Sequence, residues 1–146
     1  MLTASRKESA KLIEKEITQS LHVLGMPNVH IEMAISQRNE PDSSGADSVL
    51  LMFSANKNIP PQDVKQIASG GEIARLMLAL KALIAKRKSL PSIVFDEIDT
   101  GVSGNMAERM AKVMNQIAQF CQVICITHLP QIAAWGKHQL QSIQRG

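Results

Sequence analysis

Between residues 71 and 135 the chain switches repeatedly between helical and strand periodicity, and that alternation leaves few folds open. The pattern predicts a helix over about 71–88, a strand over 92–96, a helix over 104–119, a strand over 122–127 and a short helix near 129–135. Two apolar strands separated by a helix read as parallel neighbours in a sheet covered by helices. The expected class is therefore α/β. Polar and glycine-rich residues cluster where these strands end, the edge at which open α/β sheets bind ligands.

Upstream, Ser5 to Glu8 has the Ser-x-x-Glu form of a capping box, and Leu12, Ile13, Ile17, Leu21 and Leu24 fall on one helical face until Gly25 and Pro27. A helix over about 4–24 is expected. Val29, Ile31, Met33 and Ile35 then alternate with polar or small residues, and Val49 to Phe53 forms a second apolar run. These two runs predict an antiparallel pair, with Gln37 to Asp47 as a mobile loop between them and Asn56 to Pro61 as another loop. In the later helix Met106, Met110, Val113, Met114 and Ile117 form a stripe best read as core.

Three segments carry residues suited to phosphate chemistry. In Ala68-Ser69-Gly70-Gly71-Glu72, Ser69 and Glu72 can cap a helix reciprocally, while two glycines let backbone amides approach an anion at the positive end of the helix dipole. Both uses are compatible. Asp96 and Glu97 follow the apolar strand Ile93 to Phe95; alone, they read as solvated carboxylates, and in a nucleotide site Asp96 suits a magnesium shell and Glu97 an attacking water. His128 follows the strand Val123 to Ile126, where it serves either as a structural hydrogen bonder or as a ligand of a γ-phosphate. Ser103 can cap the helix after Gly104, Arg75 can face a phosphate or Glu72, and Lys86-Arg87-Lys88 suits the C-terminal dipole of its helix. No Gly-x-x-x-x-Gly-Lys-Ser/Thr phosphate loop occurs in the 146 residues.

Composition narrows the function classes. With 45% hydrophobic and 20% charged residues the chain is globular in type, and a net charge of +3 is too slight to argue for nucleic acid by itself. Three phenylalanines, one tryptophan and no tyrosine supply no stacking platform for single-stranded bases. Cys121 and Cys125 fall on one apolar run read as a strand, about 13 Å apart, beyond the ~7 Å that a disulfide allows. Reduced thiols, no apolar signal core and no run of about 18 apolar residues lead us to expect a soluble, cytoplasmic protein.

In their order and spacing, Ala68 to Glu72, Ile93 to Glu97, Asp99 to Gly104 and Thr127-His128 resemble the ABC signature, Walker B strand, D-loop and switch-histidine segment of ABC-type ATPase heads. The run Asp-Glu-Ile-Asp-Thr-Gly-Val-Ser-Gly from Asp96 to Gly104 is the most specific part: the chain is similar to the C-terminal part of the RecN family, bacterial DNA double-strand-break repair ATPases related to structural-maintenance-of-chromosomes (SMC) proteins. The resemblance implies a partial P-loop NTPase fold, the C-terminal lobe of a head, as one domain. Residues 1–26 would end a coiled-coil arm, 27–66 form a strand pair and loop, and 67–137 carry the motifs.

The implied cofactors are ATP and Mg2+. Asp96 would serve the metal, and Glu97 and His128 the reaction, on nucleotide held by the same head; Ser69, Gly70, Gly71, Glu72 and Asp99 would bind the cofactor, with Ser69 and Gly71 reaching the nucleotide of a second head and the Asp99 loop touching that head. The implied partners are an N-terminal lobe of the same full-length protein bearing the phosphate loop, a second head in a homodimer, and DNA contacted by the full-length protein, at the nucleoid and without a membrane. The 146 residues alone are expected to hydrolyse no ATP, and His138 to Gly146 lack the strand expected to follow. Two other readings remain at this point, a non-enzymatic DNA- or protein-binding module and a transporter-type nucleotide-binding half.

Overall fold

A computed structural model describes residues 2–67, 69–99, 101–102 and 104–141. The first helix, α1 (Leu2–Val23), packs Ala10, Ile17 and Leu21 inward and stops in a Schellman turn. There the Gly25 amide donates to His22 O (3.0 Å) and the Met26 amide to Leu21 O (2.9 Å), with Gly25 at φ 75°. The left-handed conformation at that step is why glycine stands there. The helix already includes Ser5 and Glu8 in its interior, so that pair does not start it, and Leu12 is exposed rather than part of the buried stripe.

Strands β1 (His30–Asp42) and β2 (Gly45–Ser54) form an antiparallel hairpin, pairing His30 with Ser54 through to Gln37 with Asp47, and Asp42 with Gly45 after a shift in register. The expected loop over Gln37 to Asp47 is thus mostly strand. Its polar sequence hid it, because a backbone ladder requires no apolar side chains and this end of the hairpin is largely solvated. Pro41, which donates no ladder bond, sits in the irregular part of the register. The turn is held locally by Ser44 N–H donating to Asp42 Oδ1 at 2.8 Å.

After the loop around Asn56 to Pro61, a short strand β3 (Gln62–Asp63) that the sequence reading missed pairs with Met52 and Phe53. Helix α2 (Gly70–Arg87), strand β4 (Ser92–Asp96), helix α3 (Gly104–Ile117), strand β5 (Gln122–Ile126) and helix α4 (Pro130–Ala133) follow in the expected order. β4 and β5 are parallel, registered from Ser92 opposite Gln122 to Asp96 opposite Ile126. The methionine stripe is core: Met110, Val113, Met114 and Ile117 of α3 are buried, and Met106 is half-buried against them. Cys121 lies just ahead of β5 rather than in it, Cys125 within it, and both are free.

One hydrophobic core joins the end of α1, the root of the hairpin, α2, β4 and α3, with Phe53, Leu76, Phe95 and Met110 almost fully enclosed. Lys81 fastens α2 to β4, donating to Val94 O at 3.0 Å with its ammonium 4.6 Å from the Phe95 ring centroid. The parallel pair is covered on one side only. Ile93 and Phe95 face the core, whereas Val94, Ile124 and Ile126 on the other face are 50, 44 and 55% exposed. Among the described residues no helix is long and apolar enough to cross a membrane.

Candidate nucleotide site at the end of the parallel strands

The carboxyl end of the β4–β5 pair gathers four of the residues singled out in the sequence. β4 ends at Asp96 beside Ile126, and the ladder runs one step further, with the Glu97 amide donating to Ile126 O at 3.3 Å. Glu97 then turns the chain at φ 48°, the one positive φ on a described residue other than glycine. Such a backbone stores about 1–3 kcal/mol and persists where its surroundings hold it. Here Ile98, buried in the core, pins the next residue, and a turn closes with the Val102 amide on Asp99 O at 3.1 Å and Gly101 at φ 73°. Asp96 and Glu97 are left facing solvent.

Asp99 is placed differently from its neighbours. It is 1% exposed, so it sits within this chain rather than offering itself to a second subunit as the D-loop resemblance implies. Its Oδ2 accepts a hydrogen bond from the Thr127 hydroxyl, which in turn accepts the Leu129 amide at 3.0 Å. Its Oδ1 is buried without a hydrogen-bond partner and lies 3.7 Å from His128 Nδ1. His128 projects outward, 71% of its side chain exposed. Burial, reinforced by the negative charge of Asp99, pushes the Cys125 thiol above its usual pKa. Thr127 is the member of this cluster whose role the sequence reading overlooked. A threonine at a strand end just before the Pro130 helix start was the available signal.

The glycine segment occupies a different element. Ser69 caps α2, its hydroxyl accepting the Glu72 amide at 3.4 Å. A Cβ added to Gly70 or Gly71 would meet nothing within 4 Å, so the backbone there is open to close approach. Arg75 donates to Gly71 O at 3.0 Å and Leu24 O at 3.5 Å rather than to Glu72, tying α2 to the end of α1. Ala68, Thr100 and the proposed cap Ser103 lie outside the described residues.

These donors suit a nucleotide and its metal only in part. Among the described residues no three His, Cys, Asp or Glu side chains form a ready metal cage. Magnesium takes one or two protein carboxylates and completes its shell with water and phosphate oxygens, and Asp96 is an exposed carboxylate at the strand end. A surface depression of about 450 Å³, lined by residues 85–91 and Phe120, lies at the opposite end of β4 and touches none of these groups.

No family model matches the chain. The DNA repair protein RecN of Haemophilus influenzae is 39% identical over 139 residues, 94% of this chain and 25% of that protein. RecN of Vibrio cholerae is 39% identical over 95% of this chain, and RecN of Streptomyces coelicolor 34% identical over 95%, covering 25 and 26% of those proteins. Over nearly its whole length this chain is homologous to RecN. It spans about a quarter of the length of those RecN proteins.

The solved structures agree on fold. A structure from work on ATP-driven dimerization and DNA-stimulated activation of SMC ATPases superposes with a TM-score of 0.64 at 20% identity, covering 97% of this chain and 83% of that one. The Smc head domain with a coiled coil and joint from Pyrococcus yayanosii superposes at 0.68 with 23% identity, covering 91 and 24%. At that identity the likeness is one of architecture. The RecN-like chain has the α/β fold of SMC ATPase heads, with its parallel strand pair, antiparallel sheet and flanking helices.

Proposed function

We propose that the chain is the C-terminal lobe of a RecN-like ATPase head acting in DNA double-strand-break repair, and that it completes an ATP site whose phosphate loop lies on an N-terminal lobe. The observation that carries this is the half-covered sheet. Parallel strands are found with both faces buried, yet Val94, Ile124 and Ile126 form an exposed apolar face directly behind the edge bearing Asp96, Glu97 and His128. A second lobe that extended the sheet and covered this face would bring its phosphate loop to that edge. The RecN homology supports repair rather than transport as the process served.

In this reading Asp96 holds magnesium, partly through water, and the ion supplies charge neutralisation for the phosphates. Glu97, fixed by its backbone bond to Ile126, orients and deprotonates the attacking water, and His128 hydrogen-bonds at the reacting phosphoryl end. Ser69 and the Gly70 and Gly71 amides, open at the start of α2, serve the nucleotide of an opposing head, so ATP joins two heads and hydrolysis parts them. Asp99 contributes from inside the chain. DNA is engaged by the full-length protein, in the cytoplasm at the nucleoid.

Co-expression with the N-terminal lobe should yield ATP hydrolysis that the chain alone lacks. Glu97→Gln should lower kcat by about 10²-fold or more while ATP still binds. Unchanged turnover in the substituted complex would remove Glu97 from the reaction.

A further inference from the structure

The contact between α1 and the hairpin changes character along its length. Phe53, Leu51, Val49 and Asp47 share one face of β2, and burial along that row fades from Phe53 at 2% exposed to Val49 at 43%, then returns at Asp47, 7% exposed. On the helix the buried positions end at Ala10; residues 2–9 are exposed apart from the half-buried Arg6. Thr3 lies about 10 Å beyond Ala10 along the helix axis. What closes this outer contact is polar. The Thr3 hydroxyl lies 3.0 Å from both oxygens of Asp47, Arg6 Nη1 donates to Asp47 Oδ2 at 2.8 Å, and Arg6 Nη2 donates to Ser44 O at 2.5 Å.

The hairpin turn is shaped to receive that guanidinium. Ser44 is held by Asp42, whose Oδ1 accepts its amide at 2.8 Å and its hydroxyl at 2.5 Å. Gly45 stands at φ 106°, and a Cβ there would meet Arg6 Nη1 at 3.3 Å, so conformation and space both call for glycine. Between this cluster and the core, Glu14 accepts the Met33 amide of the edge strand β1 at 2.6 Å. Burying a carboxylate is costly unless it is paired and hydrogen-bonded. Here the pairing orders two segments that apolar packing does not join.

We propose that the hairpin is a splint for α1: Asp47 latches the first two turns of the helix to the outer half of the hairpin, so that both rise from the core as one rigid lever. The latch stands on contacts within the chain and does not depend on the nucleotide reading. Its consequence does rest on reading residues 1–26 as the root of an arm: the latch then fixes the angle at which the arm leaves the head. Release of Asp47 frees the lever and leaves the core intact, because the two are joined by different contacts.

Hydrogen exchange on the 146-residue chain tests this. In the parent, the amides of residues 6–9 and 37–48 should be protected and should open together, as one cooperative unit. Asp47→Ala should speed exchange in both segments about 10-fold while residues 76–85 and 107–117 keep their protection. Arg6→Ala should do the same, and the double variant should exchange no faster than the faster single one, because both substitutions break one latch. Unprotected amides at 6–9 in the parent would overturn the proposal, and the parent decides this even where a variant fails to fold. So would additive effects in the double variant, or a hairpin that loosens in Asp47→Ala while the helix turn does not.

Discussion

The exposed face of the β4–β5 pair offers a quantitative test of the proposed partner lobe. Covering a whole Val or Ile side chain is worth about 1.5–3 kcal/mol, and Val94, Ile124 and Ile126 still expose 50, 44 and 55% of their surface. A docked lobe therefore gains about 1 kcal/mol from each, or about 3 kcal/mol together, which is roughly a 100-fold change in Kd. The triple substitution of Val94, Ile124 and Ile126 by threonine keeps β-branching, so the strands should persist and the melting temperature of the chain alone should hold. Titration calorimetry of the N-terminal lobe into each chain should show binding weakened about 100-fold, with a smaller negative heat-capacity change. Equal affinity for both chains would refute the argument, since it would mean that the partner lobe leaves this face in water.

Gly25→Ala should destabilise the chain by about 1–2 kcal/mol in denaturant unfolding, because a left-handed residue would gain a Cβ. That Cβ would stand 2.4 Å from the flexible Met106 Cε, which can move; a variant as stable as the parent would mean that α1 does not end in this turn. Asp47 ties the hairpin to α1 by accepting from Arg6 Nη1 at 2.8 Å and from the Thr3 hydroxyl. Chiefly the Arg6 hydrogen bond holds its carboxyl below the ordinary aspartate pKa of about 3.9. A lowered folded pKa means stability present above that value and lost as pH falls through the folded one. Thermal unfolding below about pH 4 should therefore fall less steeply with acid in Asp47→Asn than in the parent, and parallel curves would contradict the assignment.

The legible parts of the fold were those where periodicity is local. The stripe of α3 and the apolar cores of β4 and β5 are each declared by a few adjacent residues, and their order alone implied parallel strands. The outer half of the hairpin was illegible because Gln37 to Asp42 pair through backbone groups that every sequence possesses, and β3 because two residues carry no period. Ser5 and Glu8 misled for a related reason: a capping pair means something only where a helix begins, and nothing local to them says that α1 has already started.

The site divides along the same line. Residue types and spacing by themselves determined that Ser69 to Glu72 could cap a helix open to an anion, and that Asp96, Glu97 and His128 follow strands. Such signals depend on neighbours along the chain, so they survive in one dimension. Only the tertiary structure decided that Asp99 lies inside with Thr127 on one oxygen and His128 near the other, and that the sheet is left with a bare apolar face. Those facts join residues on different strands, and side-chain direction, burial and hydrogen-bond pairing across such a distance arise from packing, which no local stretch of sequence encodes.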